Sequence, residues 1–152
     1  MCGLIGFLSS DSTAADAAPA IDRALRCMQH RGPDEGGVWH DDQAAIGFRR
    51  LSIIDIEHSH QPLPYLDGRY QLIFNGEIYN YLELRERLTR DFGARFATDG
   101  DSEAIVAAYH HLGQDCVREL RGMFAFVIWD TVEQVMFGAR DWFGIKPLYV
   151  YS

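Results

Sequence analysis

An α+β domain built in layers is the fold class this chain predicts, and three observations carry it. Apolar runs pair into two hairpins, at 36–48 and 124–140, each closed by a short polar turn. Amphipathic helices fall in blocks between the strands rather than one after each strand, which argues against a doubly wound parallel sheet. Neither an internal repeat nor a low-complexity tract interrupts the 152 residues. A single domain of this size buries about 70% of the surface of its unfolded chain.

The elements follow in order. Leu4 to Leu8 is a short apolar run suited to a buried strand. Asp11-Ser12-Thr13 supplies a turn and cap for a helix reaching Gln29, where Ile21, Ala24, Leu25 and Met28 repeat at helical spacing. Cys27 falls in that helix and is expected to act as a small core hydrophobe. Gly32-Pro33 ends the pattern. Gly36 to His40 and Ala44 to Phe48 form a hairpin, and a loop bearing Pro62 and Pro64 follows. Tyr70 to Phe74 is a strand, which Asn75-Gly76-Glu77 is expected to interrupt. Asn80, with Glu83 as capping-box partner, opens a helix to about Arg90. Asp101-Ser102-Glu103 opens another, with Ile105, Val106 and Tyr109 turned inward. A short helix at 116–120, strands at Phe124 to Trp129 and Val135 to Arg140, and a last strand at Leu148 to Tyr151 complete the chain.

Composition removes several function classes. Net charge is −8, from 14 basic and 22 acidic residues, with no basic stripe, so nucleic acid and anionic membrane are not expected partners. No segment is long and apolar enough to span a bilayer, and the N-terminus lacks the basic and apolar regions of a signal peptide. Three widely spaced cysteines suit a reducing compartment, and the expected location is the cytoplasm. His58-Ser59-His60 and His110-His111 match no closed zinc site, so no metal centre is expected. The three tryptophans, Trp39, Trp129 and Trp142, read as core or rim aromatics.

Cys2 carries the chemical signal. Removal of Met1 would leave a thiol and a free α-amine on one Cα, a nucleophile and a general base in a single residue. An α-amine titrates near neutrality, at about 7.7–8.0, and can take a proton from an attacking group and return it to a leaving group. Attack on a carbonyl creates an oxyanion that needs preorganised donors. Asn75-Gly76 offers an amide side chain followed by an unobstructed backbone N–H. The same dipeptide is also a strong hairpin turn signal, but a helix rather than a second strand follows it.

The segments Cys2-Gly3, His30-Arg31-Gly32-Pro33-Asp34, Arg50-Leu51-Ser52-Ile53-Ile54-Asp55 and Gln61-Pro62 occur in that order. Phe74-Asn75-Gly76-Glu77-Ile78-Tyr79-Asn80, Asp101-Ser102-Glu103 and Arg121-Gly122-Met123-Phe124-Ala125-Phe126 continue the series, followed by Ala139-Arg140-Asp141 and Gly144-Ile145-Lys146-Pro147-Leu148-Tyr149. Together they resemble the class II glutamine amidotransferase domain, and within it the glutaminase half of glutamine-hydrolysing asparagine synthetase. The resemblance covers residues 1–152.

It implies an N-terminal-nucleophile hydrolase fold, a four-layer αββα sandwich with two antiparallel sheets. It implies hydrolysis of L-glutamine to glutamate and ammonia through a γ-glutamyl thioester on Cys2. By the same resemblance Asn75 and Gly76 form the oxyanion hole, Arg50 pairs with the substrate α-carboxylate, Asp101 receives its α-ammonium and Glu77 lies in the substrate-binding loop. Arg50 and Asp101 suit those roles, a planar fork for a carboxylate and a carboxylate for an ammonium. Read without the resemblance, Arg50 could equally be a surface charge and Asp101 a helix cap. Of the two acidic candidates Asp99 and Asp101, the second directly precedes the Ser102-Glu103 helix start.

Phe48 departs from the pattern, standing where the family often has histidine or another polar residue. The family's ATP-binding synthetase domain, with its Ser-Gly-Gly-x-Asp-Ser loop, has no counterpart in these residues, and no glycine-rich phosphate loop occurs. The expectation is therefore a glutaminase domain cut before its last strands and marginally stable alone. It needs no cofactor of its own, ATP and Mg belonging to the absent domain, and passes ammonia to a synthetase domain in the same chain or a separate subunit. The alternatives are the same chemistry feeding another acceptor, and a non-catalytic glutamine-binding scaffold that keeps Met1.

Overall fold

The computed structural model describes residues 2–9, 14–51 and 60–151. The expected cap at Asp11-Ser12-Thr13, the motif residues Ser52 to Asp55 and the His58-Ser59 pair lie outside the described residues. Strands β1 (Gly3–Leu8), β2 (Glu35–His40) and β3 (Ala44–Arg50) form an antiparallel sheet in the order β1-β3-β2. Strands β4 (Leu63–Tyr65), β5 (Tyr70–Ile78), β6 (Gly122–Asp130) and β7 (Val135–Arg140) form a second antiparallel sheet in sequence order. Helix α1 (Ala14–Cys27) packs on the first sheet, and α2 (Tyr81–Phe92) and α3 (Asp101–Leu112) lie beyond the second. The layers run helix, sheet, sheet, helices, as the α+β reading anticipates.

Strand periodicity explains the layering. Along β5, Leu72 and Phe74 face the core shared with α3, which includes Ile105 and Val106. Ile73, one residue out of phase, joins Ile46, Phe48 and Val127 between the sheets. Ala45 of β3 turns the other way, to Ile21 and Leu25 of α1. Each sheet is thus apolar on both faces, and α1 is needed to keep the outer face of the first sheet dry.

Several expectations need correction, among them the loop bearing Pro64, which holds the short strand β4. The strand at Tyr70 runs through Asn75-Gly76-Glu77 to Ile78, with Gly76 opposite Phe124. Gly76 takes φ +153°, and a Cβ there would stand 2.0 Å from the Met123 carbonyl oxygen, so glycine lets the ladder continue at an irregular, close-packed point. The Asn80–Glu83 capping box does not form. Asn80 instead donates through Nδ2 to the Glu119 carbonyl and accepts from the Arg121 N–H, both at 2.9 Å, tying the start of α2 to the approach to β6. The short helix expected at 116–120 is a 3-10 turn spanning Gly113–Arg118. Leu148 to Tyr151 is not a strand: Leu148 packs between the sheets, but Tyr149 and Val150 are each 89% exposed.

Cys27 is exposed rather than in the core, because it points away from the helical face on which Ile21, Leu25 and Met28 pack against the first sheet. Cys116 is buried, and burial pushes its thiol up to about 12. Trp129 is fully buried and donates to Asp41 at 2.6 Å, linking the sheets, whereas Trp142 is largely exposed. Among the described residues no helix is long and apolar enough to cross a membrane.

Candidate active site

Cys2 precedes β1 and reaches the space between the sheets. Two strands fix it. Its main-chain nitrogen donates to Asn75 Oδ1 at 3.2 Å, and its sulfur lies 3.4 Å from the Leu51 nitrogen and 3.7 Å from the Leu51 oxygen. Asn75 can make the first contact because of strand alternation. It is two residues beyond Ile73 and shares its inter-sheet face, while Leu72 and Phe74 face the helices.

A turn holds Cys2 from the other side. Arg31 Nε donates to the Cys2 carbonyl at 3.4 Å. A Cβ on the following Gly32 would meet the Arg49 carbonyl carbon at 2.4 Å and the Arg50 nitrogen at 2.6 Å. The His30-to-Asp34 segment therefore rests directly on the end of β3, which no residue with a side chain at position 32 would permit.

Arg50 ends β3 and is buried, with Nη1 at 3.4 Å from Glu35 Oε2 on β2. Asp101 opens α3 and is buried too, its Oδ2 accepting the Ile78 N–H at 2.9 Å. This carboxylate is not the helix cap that its position allowed, since Gly100 occupies the N-cap and Asp101 docks the helix onto the end of β5. The loop before it is well anchored. Glu103 accepts the N–H groups of Ala97 and Thr98, and Arg85 donates to the carbonyls of Thr98 and Gly100 while stacking on Phe96. Burial raises the Asp101 carboxyl above the ordinary range and the nearby Glu77 charge adds to this, against the opposing pull of the Ile78 N–H.

All six predicted residues, Cys2, Arg50, Asn75, Gly76, Glu77 and Asp101, line one cavity. One wall is the end of β3 with Cys2; the other is the end of β5 with the start of α3. Phe48 forms part of the apolar wall and is 1% exposed. Gln61 and Lys146 are among the polar residues of this cavity to which sequence reasoning gave no site role. Gln61 accepts the Phe74 N–H through Oε1 at 2.6 Å, immediately before Asn75. Lys146 is buried at the end of a loop organised by Asp141, whose carboxylate accepts the N–H groups of Phe124, Phe143, Ile145 and Lys146. Burial opposes ionisation of Asp141, yet those four donors hold its carboxyl below the ordinary range. Both residues stand in motifs quoted above, Gln61-Pro62 and Gly144 to Tyr149, but a polar residue in a loop carries no local mark of which way it points.

The His110 ring faces the Tyr70 hydroxyl, with Nδ1 at 3.1 Å. Among the described residues no group of three or more histidine, cysteine, aspartate or glutamate side chains could hold a metal ion.

The family model described as a glutamine amidotransferase domain matches residues 1–152. A protein of Mycobacterium tuberculosis strain H37Rv, provisionally named asparagine synthetase [glutamine-hydrolyzing], is 57% identical over 164 residues, covering 99% of this chain and 25% of its own length. Asparagine synthetase [glutamine-hydrolyzing] 1 of Bacillus subtilis is 50% identical over 151 residues, covering 98% of this chain and 24% of that protein. The chain thus spans about a quarter of the length of these relatives. In fold it is similar to the glutamine phosphoribosylpyrophosphate amidotransferase of B. subtilis in complex with ADP and GMP, with TM-score 0.67 and 21% identity over 93% of this chain and 37% of the other. The chain belongs to the glutamine amidotransferase domain family.

Proposed function

We propose that this domain hydrolyses L-glutamine to glutamate and ammonia through a γ-glutamyl thioester on Cys2, and that the ammonia serves ATP-dependent asparagine synthesis from aspartate. The observation that carries the reading is the convergence of Cys2, Arg50, Asn75, Gly76, Glu77 and Asp101 on one cavity, with the Cys2 nitrogen against Asn75 Oδ1.

The chemistry follows from those positions. With Met1 removed, the Cys2 nitrogen held against Asn75 Oδ1 becomes an α-amine and can accept the thiol proton as Sγ attacks the glutamine amide carbon. Asn75 gives its oxygen to Cys2, leaving its Nδ2 donor, together with the Gly76 N–H, to receive the developing oxyanion. Collapse breaks the carbon–nitrogen bond, and the proton held by the amine leaves with ammonia. Water then attacks the thioester, and glutamate departs as the thiol is restored. Arg50 and Asp101 bind the two charged ends of the free amino acid, with Glu77 beside them, so a glutamine within a peptide would lose both contacts.

This domain needs no cofactor for those steps, and ATP with Mg belongs to the synthetase reaction. The ammonia acceptor is a synthetase domain, in the same chain or a separate subunit. Glutamate formation from glutamine by the wild-type chain and by a Cys2→Ala variant tests the assignment. Loss in the variant is expected, and equal ammonia release by both would refute the nucleophile. Asparagine formation by the full-length chain, given glutamine, aspartate and ATP, tests the acceptor.

A further inference from the structure

We propose that Glu35 is a positioning residue for Arg50, fixing the guanidinium that receives the substrate α-carboxylate, and that His60 fixes Glu35 in turn. The inference rests on the reading of Arg50 given above.

Glu35 and Arg50 are directly opposed across the β2–β3 ladder, so their side chains leave the sheet on the same face. The two oxygens of Glu35 are divided between two partners. Oε2 lies 3.4 Å from Arg50 Nη1, and Oε1 lies 2.6 Å from His60 Nδ1. An ionised carboxylate can only accept, so Nδ1 carries the hydrogen in this contact. Exposure rises outward along the series: the Arg50 side chain is 6% exposed, Glu35 28% and His60 66%. The three form a line from the cavity wall to the surface, and only Arg50 belongs to the wall.

A carboxylate held at both oxygens has one orientation and passes that orientation to the guanidinium. Glu35 also carries a charge that opposes the substrate carboxylate, so two effects of opposite sign are in play. The Glu35 carboxylate is partly exposed and hydrogen-bonded by His60 at 2.6 Å, which screens its opposition to the substrate carboxylate, while the tether still limits the rotamers of a long side chain. Positioning is the larger effect.

Steady-state glutaminase kinetics on the full-length chain separate the two. Removing the tether in Glu35→Ala is expected to raise KM for glutamine about tenfold with kcat within about twofold, the pattern of lost uniform binding. Glu35→Asp keeps the charge but withdraws it from Nη1, and is expected to behave like Glu35→Ala; it answers the question should the alanine variant fail to fold. Glu35→Gln keeps an oxygen at the same place and is expected to remain within about twofold of wild type in KM. His60→Ala is expected to raise KM less than Glu35→Ala. For 4-aminobutanamide, which lacks the α-carboxylate, Glu35→Ala should change nothing. An unchanged or lowered KM in Glu35→Ala and Glu35→Asp, or a fall in kcat alone, overturns the proposal, and an unaltered His60→Ala overturns its outer half. Arg50→Ala distinguishes the two levels. If it leaves KM unchanged, the underlying reading of Arg50 has failed; if it raises KM while the Glu35 variants do not, only the present proposal has failed.

Discussion

The main-chain nitrogen of Cys2 donates to Asn75 Oδ1 at 3.2 Å, across 73 residues of sequence. On the proposed mechanism this one amide side chain has two tasks at its two ends: its oxygen orients the group that becomes the base, and its nitrogen faces the charge that develops on the substrate. Replacing Asn75 by alanine is expected to lower kcat about 10²–10³-fold, as for loss of one oxyanion donor, with KM for glutamine changed much less. Asn75→Asp should be at least as damaging, because it substitutes a carboxylate oxygen for the donor. Stopped assays over a glutamine range decide the matter; a rise in KM at constant kcat would contradict the assignment.

Asp101 makes a pH prediction. Its carboxyl is raised above the ordinary range by burial and by Glu77. Only the ionised form binds an α-ammonium. As pH falls through this raised value the carboxylate protonates, so KM for glutamine should begin to climb at a higher pH than an ordinary aspartate would give. Asp101→Asn should have a large KM at every pH and lack that acid limb. The folding consequence has the opposite sense. A carboxyl raised in the folded state costs stability above its unfolded value, so Asp101→Asn is expected to melt no lower than wild type at pH 7. Loss of stability in this variant would mean that docking α3 on β5 needs the ionised carboxylate rather than a neutral acceptor.

Gly76 is the most restricted backbone position at the site. Its φ is +153°, and a methyl carbon placed on it would stand 2.0 Å from the Met123 carbonyl oxygen, so Gly76→Ala must move β5 away from β6. The expected cost is about 3 kcal/mol, from overpacking combined with backbone strain. Urea denaturation of the full-length chain measures it. A cost under about 0.5 kcal/mol, within the range of ordinary surface changes, would show that the strand is not so confined.

The cysteines should differ in reactivity. Cys116 is buried with its thiol pushed up to about 12, whereas Cys27 is exposed. Iodoacetamide at neutral pH is expected to label Cys27 readily and to spare Cys116 until the protein unfolds. Peptide mapping of the folded protein checks this, and rapid labelling of Cys116 would contradict its placement in the core.

Much of this architecture was legible in the chain because its cause is local. The β2–β3 and β6–β7 hairpins follow from alternation and short polar turns, and α1 and α3 from helical spacing. What escaped was decided by distant partners. Strand β4 carries Pro64 at its centre and forms because Leu63 and Tyr65 bury against β5. Asn80 reads as a helix cap, yet the 119–121 backbone takes its side chain. Asn75-Gly76 reads as a break because glycine signals one, whereas here it permits close strand contact. Cys2 and Asn75-Gly76 are legible from their own chemistry, whereas Arg50, Glu77 and Asp101 come only through the family resemblance, since they share no local signature. Gln61, Lys146 and Glu35 point toward the site or its supports only because a strand, a carboxylate-centred loop and a ladder register place them there.

The central claim is that the thiol of Cys2, as residue one of the processed chain, forms a covalent intermediate with glutamine. Acid-quenching the full-length chain during turnover, followed by peptide mass mapping, tests it most directly. The expected result is a peptide that begins at Cys2, lacks Met1 and carries a γ-glutamyl group, absent from Cys2→Ala. A chain that retains Met1 while releasing ammonia, or an adduct on any other residue, would contradict it.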